Sequence, residues 1–471
     1  MRIMFIIHDI VMEPLGVTYL SSVLKRAGHE TRLAAITQGG VLQAVEAFRP
    51  ELVGYSLSTG YERRFFDLNR ELKERFGVLS LFGGAHPTFF PEMIDEPGVD
   101  ALCLGEAEEA VIEFVQRLEE IGKPPTDVRN FWVKQGGKVH KNPVRPLIDD
   151  LDTIPFPDRE IFCDYAGKHQ IKTMFMIASR GCPFNCSYCF NHAYRALYEG
   201  KGKVVRFRSV GNVIQEALEL KANYRPEIIL FQDDTFILSR DWVLEFSKEY
   251  KERVGIPFHC HLRANLVTEE IATALHDAGC ISIKMAIECV DDHVRNDILR
   301  RNLTFEQLDN ACRIVKQSGI KLVTQNILGT PGSSLDIDLS TLRFSMKHRP
   351  SYAYATLLQA YPKTWIGDYA RKHGYLDDTE SYPASFFDRS MLNIPDKRKI
   401  ERLRTLFATV VEFHFLYPLV RVLIRLPIAR VSTFVDKIWR GYCIRHRIFP
   451  YSISIGEYFH TLRVFLKTRW Y

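Results

Sequence analysis

The sequence predicts an α/β protein with a doubly wound, Rossmann-like N-terminal domain, a central partial (β/α)6 barrel and a mostly helical C-terminal extension. Short apolar runs alternate with amphipathic helical segments over residues 1–145 and again over residues 171–375. This alternation is typical of parallel sheets covered by helices. It is lost over residues 376–471, where basic and aromatic residues are interspersed with aliphatic ones. Residues 146–170, rich in proline and acids, are predicted to be an extended linker.

In the first domain, five apolar runs are predicted to be parallel strands: Arg2–Ile7, Thr31–Ile36, Leu52–Leu57, Leu79–Phe82 and Ala101–Leu104. Segments with helical spacing separate the first four, at Val17–Ala27, Val41–Phe48 and Glu62–Phe76. Ligands of doubly wound sheets bind outside the carboxyl ends of the strands. We therefore expect a binding site at the small and polar residues there: Ser56, Ser58, Gly83, Gly84, His86, Gly105 and Glu106.

The second domain carries about six further strands with helices between them, the first helix being Val210–Asn223. The predicted strands are Met174–Ala178, Ile228–Phe231, Phe258–His261, Ile281–Ile287, Lys321–Leu328 and Ala353–Gln359. In (β/α) barrels the chemistry gathers at the carboxyl ends of the strands, so the residues that follow these runs are the candidate site.

The most specific motif is a group of three cysteines, Cys182, Cys186 and Cys189, spaced CxxxCxxC after the first predicted barrel strand. Three thiolates this close can hold one metal cluster. They supply one ligand fewer than the four that usually saturate a 4Fe–4S cluster, which leaves one iron open to a non-protein ligand. The alternative is a zinc site completed by His192, although zinc sites more often use paired CxxC elements.

The run at residues 179–190, SRGCPFNCSYCF, resembles the cluster motif of the radical S-adenosylmethionine (SAM) enzymes. The resemblance implies a 4Fe–4S cluster that binds SAM through its amino and carboxylate groups. It implies one-electron cleavage of SAM to methionine and a 5′-deoxyadenosyl radical, which abstracts hydrogen from an unactivated carbon. An external electron donor such as a flavodoxin or ferredoxin is then expected.

The same resemblance places SAM contacts at the strand ends. Asp233 and Asp234 match the point that contacts the SAM amino group, with a helix N-cap as the alternative role for Asp234. Arg263 could pair with the SAM carboxylate as a bidentate fork, or form a structural ion pair. Glu288, directly after a buried run, matches the glutamate that hydrogen-bonds the SAM ribose. The residues expected beside the adenine are Tyr188, Phe190, Asn326, Gly329 and Pro331.

The first domain resembles the cobalamin-binding domain of cobalamin-dependent radical SAM enzymes. The resemblance is carried by Pro14-Leu15-Gly16, by the run GGAHPT at residues 83–88 and by the run GEAE at residues 105–108. Many cobalamin domains carry Asp-x-His-x-x-Gly, whose imidazole ligates cobalt, and this sequence has no such run. Cobalamin is therefore expected to bind without a histidine ligand.

The resemblance implies methylation of a carbon in a small-molecule or lipid-like substrate. The alternatives are radical C–C bond formation or cyclisation of a lipid or tetrapyrrole-like substrate, and a non-catalytic cobalamin or redox sensor. The intact cysteine motif and Glu288 argue against a sensor. A methylthiotransferase is also disfavoured, since that family carries three further cluster cysteines in its N-terminal domain and residues 1–150 contain only Cys103.

Charge is distributed unevenly along the 471 residues. Residues 397–471 hold 15 Lys and Arg against 4 Asp and Glu, a net charge of +11, whereas the rest of the chain is at −6. A basic, aromatic extension is typical of a helix lying on an anionic membrane surface. The alternative is a helical cap on the barrel, and no nucleic acid is expected because no binding motif accompanies the charge.

The first residues read as a strand rather than a signal peptide. Seven of the ten cysteines are scattered, mostly within apolar segments, which does not fit a disulfide framework. We therefore expect a cytoplasmic protein, with the inner membrane surface as a peripheral location.

Overall fold

The structure, a computed structural model, describes residues 1–166, 172–377, 382–383 and 385–451. It divides into two compact units. The first comprises Met1–Ile171 and Ala193–Arg208, and the second comprises Lys172–His192 and Ser209–Tyr471.

The first unit is built on a seven-stranded sheet in the order β2-β1-β3-β4-β5-β6-β7. Its strands are β1 (Arg2–Ile7), β2 (Glu30–Ala35), β3 (Leu52–Ser56), β4 (Leu79–Gly83), β5 (Ala101–Cys103), β6 (Phe131–Gln135) and β7 (Lys138–Lys141). Its helices are α1 (Leu15–Arg26), α2 (Val41–Phe48), α3 (Glu62–Phe76), α4 (Ala85–Phe89), α5 (Glu108–Ile121) and α6 (Glu160–Ala166).

Strands β1 to β5 are parallel, which confirms the predicted doubly wound sheet. The chain passes from β1 to β2 and then returns to the other side of β1 as β3. This reversal opens a crevice at the carboxyl ends of β1 and β3, the position at which such sheets bind ligands.

The antiparallel strands β6 and β7 were not predicted. The sequence does carry a signal for them, because Gly136-Gly137 joins the two strands and both glycines have positive φ, at 60° and 75°. A two-residue turn with positive φ at both positions suits the twist of a hairpin.

The segment predicted as an extended linker differs from that prediction, since it contains α6. It is fixed to the first unit by a buried ion pair between Arg159 and Glu13, at 3.3 Å, and by a 2.5 Å hydrogen bond from Ser21 to Asp158. The prolines and acids at residues 146–158 therefore lie on the first unit as an ordered extension.

The second unit contains a six-stranded parallel sheet in the order β15-β14-β13-β12-β11-β8. Its strands are β8 (Thr173–Met176), β11 (Ile228–Phe231), β12 (Phe258–Leu262), β13 (Cys280–Glu288), β14 (Lys321–Leu328) and β15 (Tyr352–Leu357). The short strands β9 (Ser179–Arg180) and β10 (Arg206–Phe207) and the helix α7 (Asn191–Leu197) lie between β8 and β11 along the chain.

Each connection between consecutive strands from β11 to β15 carries a helix, as predicted for a (β/α) barrel. The helices of this unit are α8 (Val210–Asn223), α9 (Arg240–Arg253), α10 (Glu269–Asp277), α11 (Phe305–Gln317), α12 (Leu335–His348), α13 (Trp365–Lys372), α14 (Lys397–Glu412), α15 (Val420–Leu423) and α16 (Ala429–Cys443).

The described part of the C-terminal region is mostly helical from Lys397 onward, as predicted, and packs against the edge of the sheet. Helix α14 contacts β15 and α16, and its Leu403, Phe407 and Val410 are buried in the core cluster shared with α12 and β15. Pro418 lies inside the irregular turn before α15 and prevents one continuous helix there. No helix among the described residues is long and apolar enough to cross a bilayer.

Candidate functional site

The three motif cysteines lie in the loop after β9. Cys186 is buried, and Cys182 and Cys189 are half-buried. Burial raises the pKa of the Cys182 thiol, and it raises the pKa of Cys189 to about 12. Without a metal, the thiols of Cys182 and Cys189 are therefore protonated near neutral pH, and a metal that binds them must displace protons.

The geometry of the loop disfavours the zinc alternative. Within the described residues, no three side chains of His, Cys, Asp or Glu are grouped as a single metal ion would require. In a 4Fe–4S cluster each cysteine binds a different iron, so three sulfurs need not converge on one point. Three thiols without a convergent fourth ligand fit a cluster with one open iron.

The loop is fixed from two sides through Ser187. Its backbone N–H donates to the carbonyl of Leu299 at 3.0 Å and its hydroxyl donates to that of Ile298 at 2.7 Å. The N–H of Ile366 in turn donates to the carbonyl of Ser187 at 3.1 Å. The spacing of the cysteines is therefore set by the protein rather than by a cluster alone.

Two buried arginines reach the sulfur of Cys186. Nη1 of Arg263 lies 3.6 Å from Sγ and Nη1 of Arg301 lies 3.8 Å from it, and each arginine is 5% exposed. Such cations offset the negative charge of a thiolate-ligated cluster. Arg301 was missed by sequence reasoning, since nothing in the run before α11 distinguishes it from a surface arginine.

Arg263 is occupied by the protein in this structure. Its guanidinium stacks on Phe184 at 3.8 Å, donates from Nε to Asn265 at 2.9 Å and donates to the backbone carbonyl of Arg301. The contact with Cys186 leaves it little capacity for a bidentate pair with a SAM carboxylate. The geometry favours a role at the cluster cysteine for Arg263.

Glu288 ends β13 in a left-handed conformation, with φ at 63°. The register between β13 and β14 shifts at this point, between Ala286 and Glu288. A non-glycine residue at positive φ costs roughly 1–3 kcal/mol and persists where the surrounding structure enforces it. The bulge re-aims the carboxylate at the end of the strand.

The carboxylate of Glu288 belongs to a buried network. Tyr188 donates its hydroxyl to Oε1 at 2.8 Å, and Nη1 of Arg301 donates to the same hydroxyl oxygen at 2.8 Å and lies 3.8 Å from Oε1. Burial raises the pKa of Glu288, and Arg301 and Tyr188 oppose that shift. Because Tyr188 uses Oε1, Oε2 is the oxygen left for the predicted bond from a ribose hydroxyl.

The two aspartates after β11 have different environments. Asp233 is 1% exposed and accepts hydrogen bonds from the backbone N–H of Ala178 and from the hydroxyl of Ser179, the latter at 2.5 Å. These bonds make Asp233 a support for the chain that leads into the cysteine loop. Asp234 is exposed and accepts from Asn191 at 3.1 Å, so it is the better placed of the two for an ammonium.

The turn after β14 combines an available acceptor with tight packing. Asn326 is fully buried, and its amide donates to the carbonyl of Tyr354 at 2.8 Å while its Oδ1 has no partner. A buried acceptor without a donor is costly unless a ligand supplies one.

Gly329 has φ at 69°, and a Cβ there would lie 2.8 Å from Ile394. Packing therefore explains this glycine without an adenine. Pro331 is buried in the same turn.

Aromatic rings border the loop at Phe190. Its ring centroid lies 5.7 Å from that of Tyr361, which stacks on Tyr382 at 5.3 Å. Neither tyrosine was among the predicted site residues. Phe190 therefore has the flat neighbours expected of a base-binding surface, whereas the hydroxyl of Tyr188 serves the network of Glu288.

In the first unit, the predicted cobalamin residues lie at the carboxyl ends of the neighbouring strands β3, β4 and β5. Ser58 and Gly84 are exposed there, and Ser56 and Gly83 are half-buried. Gly84 has φ at 99°, and a Cβ would lie 3.0 Å from the carbonyl oxygen of Leu57. The exposed small residues at this edge fit the approach of a large, flat ligand.

His86 is held locally rather than projecting alone. Its Nδ1 lies 3.1 Å from the hydroxyl of Thr59 and 3.2 Å from the carboxylate of Glu62, and its ring stacks on Phe90. The expectation that cobalamin binds without a histidine ligand stays a prediction.

Gly105 and Glu106 make contacts within the first unit that favour a structural role. A Cβ at Gly105 would overlap the hydroxyl of Tyr198, so no side chain larger than that of glycine fits there. The backbone N–H of Glu106 donates to that hydroxyl at 2.9 Å, and its carboxylate pairs with Arg206 through bonds of 2.5 and 3.0 Å. Both residues thus fix the segment 193–208 to the sheet.

Comparison with known proteins identifies both units. Residues 176–344 match the Radical SAM superfamily and residues 9–115 match the B12 binding domain. An uncharacterized methyltransferase of Pyrococcus horikoshii is 29% identical over 367 residues, which are 76% of this chain and 78% of that protein. The cytidylyl-2-hydroxyethylphosphonate methyltransferase of Streptomyces wedmorensis is 23% identical over 450 residues, or 81% and 82% of the two chains.

The fold is also that of a solved structure. The radical SAM methyltransferase TsrM from Kitasatospora setae superposes with a TM-score of 0.68 at 15% identity, covering 83% of this chain and 80% of that one. This chain is a radical SAM enzyme that carries an N-terminal B12-binding domain, as the resemblance of its motifs implied. Its cofactors are a 4Fe–4S cluster, SAM and cobalamin.

The cysteine assignment predicts the behaviour of reconstituted protein. Replacing Cys182, Cys186 or Cys189 with Ala should lower iron from about four per chain and abolish 5′-deoxyadenosine formation from SAM, because each thiolate binds one iron. Iron content and product chromatography measure both. Cys312→Ala, a buried cysteine of α11 outside the motif, is the matched control. Undiminished cleavage in any motif variant would contradict the assignment.

The network at Glu288 predicts a selective effect on SAM. Glu288→Gln should weaken SAM binding about tenfold or more while iron content stays normal, because an amide loses part of a charge-assisted bond of roughly 1.5–3 kcal/mol. Equilibrium dialysis with labelled SAM measures the affinity. Glu252→Gln, on the exposed surface of α9, is the control, and equal affinity of both variants would make Glu288 structural.

Proposed function

We propose that this enzyme is a C-methyltransferase that uses cobalamin as the methyl carrier and a SAM-derived radical to activate an unactivated carbon. The observation that carries the proposal is the joint presence of the B12-binding unit and an intact three-cysteine loop supported by buried arginines. Methyltransferase relatives that span most of the chain support the same reaction class. The substrate is then a small molecule or a lipid, and a flavodoxin or ferredoxin supplies electrons.

Different residues of the second unit would bind the cluster and SAM. Cys182, Cys186 and Cys189 would hold the cluster, Glu288 would accept from the ribose, and Asn326 offers a buried acceptor for a donor on the ligand. When bound, SAM and cobalamin supply the radical and the methyl group. The protein supplies position, charge compensation and exclusion of water.

Product stoichiometry distinguishes methylation from the non-methylating alternatives. Methylation at a C–H bond consumes one SAM as radical source and one as methyl donor, so 5′-deoxyadenosine and S-adenosylhomocysteine should form in equal amounts. The test is an anaerobic reaction with methyl-labelled SAM, a reductant and a small-molecule cell extract, followed by mass spectrometry. The Cys186→Ala protein is the control. Substrate-dependent 5′-deoxyadenosine without S-adenosylhomocysteine would favour cyclisation or C–C bond formation.

We further infer that the C-terminal region contacts an anionic membrane surface, which would suit a lipid-like substrate. Helix α16 has polar residues on its buried side, where Ser432, Asp436 and Arg440 lie. Asp436 is hydrogen-bonded to Arg404 at 3.3 Å and to Tyr352 at 3.0 Å. The outward face of the helix is apolar at helical spacing, with side chains 41–65% exposed at Val431, Phe434, Val435, Ile438 and Tyr442.

The apolar surface continues along the preceding turns, where Phe415 is 74% exposed and Val422 is 54% exposed. Contiguous apolar patches of this kind mark interaction sites. Exposed Arg425 and Arg430 flank the same stretch, and basic residues near an anionic leaflet contribute about 1 kcal/mol each. The charge of the region favours an anionic bilayer as the occupant.

Vesicle binding tests this surface. The full chain should sediment with anionic vesicles at low salt and not with neutral vesicles, and salt should weaken the binding. The double variant Phe434→Glu, Ile438→Glu should stay in the supernatant. Truncation at residue 396 is unsuitable because α14 is part of the core. Ile121→Glu, at an exposed position of the first unit, is the control. Full-length protein that stays in solution with anionic vesicles would leave α16 as a structural cap.

A further inference from the structure

One face of the second sheet carries side chains that are partly exposed. Along β13, Ile283, Met285 and Ile287 are each 0% exposed, whereas Lys284 and Ala286 between them are partly exposed. The neighbouring strands also carry partly exposed residues, which are His261 on β12, Gln325 on β14 and Tyr354 and Thr356 on β15. We refer to the side carrying His261, Lys284 and Tyr354 as the polar face.

The register places these side chains together. His261 pairs with Lys284 across β12 and β13, and Gln325 pairs with Tyr354 across β14 and β15. The ammonium of Lys284 lies 5.7 Å from the ring centroid of Tyr354. Successive residues of a strand alternate between faces, so the partly exposed residues share one face, together with their buried register neighbours Val323 and Tyr352.

Lys284 has no anionic partner in the part of the chain that the structure describes. It forms no hydrogen bond or ion pair there, and its pKa is lowered by burial with no carboxylate to oppose the shift. Lys284 is only partly exposed, and a lysine withdrawn from water is normally paired, because desolvating an ammonium is costly. The contact with Tyr354 offsets only part of that cost.

Its neighbours on the polar face add no negative charge. Burial and the charge of Lys284 lower the pKa of His261 to about 3, so this imidazole is neutral at physiological pH. His259, one alternate position earlier, is 1% exposed and has its pKa lowered by burial as well. The acid nearest to β15 on α16, Asp436, is already committed to Arg404 and Tyr352.

We propose that the polar face is a substrate subsite for an acid group, a carboxylate or a phosphate, that pairs with the ammonium of Lys284. Neutral His261 and Tyr354 supply further hydrogen-bonding groups beside it. Lys284 precedes Glu288 by four residues on one strand, about 13 Å at roughly 3.3 Å per residue. The subsite is therefore distinct from the predicted ribose position. The assignment of the anion to the substrate rests on the proposed function.

The test uses full-length protein reconstituted with cluster and cobalamin. Thermal unfolding is followed in chloride, acetate and inorganic phosphate at one ionic strength, for the wild type, Lys284→Met, Lys284→Arg and the exposed control Lys248→Met. Acetate or phosphate should raise the unfolding temperature of the wild type, and the more effective anion identifies the acid class. The apparent affinity for that anion should fall about tenfold or more in Lys284→Met, and Lys284→Arg should retain part of it.

The change in stability of Lys284→Met in chloride distinguishes an anion site from a structural ion pair. In chloride, Lys284→Met should be at least as stable as the wild type, because it removes an uncompensated buried charge and keeps the length of the side chain. A large loss of stability in Lys284→Met, or an anion response equal to that of the wild type, would overturn the proposal.

The two proposals fail separately. An anion response that depends on Lys284, in a protein that forms no methylated product, would retain the subsite and contradict the methyltransferase. Methylation by a protein whose anion response does not depend on Lys284 would retain the methyltransferase and overturn the subsite.

Discussion

Two buried guanidiniums at one thiol are the constraint on which the second unit depends. The guanidiniums of Arg263 and Arg301 are buried, so their N–H groups need hydrogen-bond acceptors inside the protein. Arg301 meets part of this need through the hydroxyl of Tyr188, the carbonyl of Ala286 and the sulfur of Cys186, while its Nε is buried without a partner. These bonds join the cysteine loop to the end of β13. The position of the loop and the position of Glu288 are therefore coupled, because the same arginine contacts both.

This coupling explains why a strained residue is retained at the end of β13. Glu288 has positive φ at a bulge, an arrangement that costs energy in an isolated strand. Its carboxylate meets Tyr188 from the cysteine loop and the charge of Arg301 at the same point. A relaxed strand end would turn the carboxylate away from both. The strain thus has a function whether or not SAM is bound, since it closes the network that orders the cluster loop.

The sequence predicted the elements well where a local pattern determines them. Helix Val210–Asn223 and strands Ile228–Phe231 and Lys321–Leu328 have the predicted bounds, because apolar periodicity and turn residues are local. The ends of β13 and β15 moved by one or two residues, since pairing with neighbours decides where a strand stops. Hairpin β6–β7 and α6 were missed, because their stability comes from contacts with the remaining sheet.

The position of the candidate residues at strand ends was predictable, and their contacts were not. Asp233, Arg263 and Gly329 do follow β11, β12 and β14, yet their side chains or backbones contact Ser179, Cys186 and Ile394. Gly105 and Glu106 likewise serve Tyr198 and Arg206 within the first unit. A sequence shows which residue lies at a strand end. The sequence does not show which residue from a distant part of the chain is already hydrogen-bonded to that strand-end residue.

Charge compensation separates three buried arginines of the second unit from Lys284. Arg263 and Arg301 are buried beside a thiol, a phenol and a carboxylate, and Arg404 is buried beside Asp436, so the fold itself places acceptors beside these three guanidiniums. Lys284 is placed among neutral groups on the polar face. A lysine rather than an arginine suits this position, because an ammonium can lose its proton when no anion is present and regain it when one arrives. An arginine would carry its charge permanently, and the fold would then have needed a fixed acid at the same place.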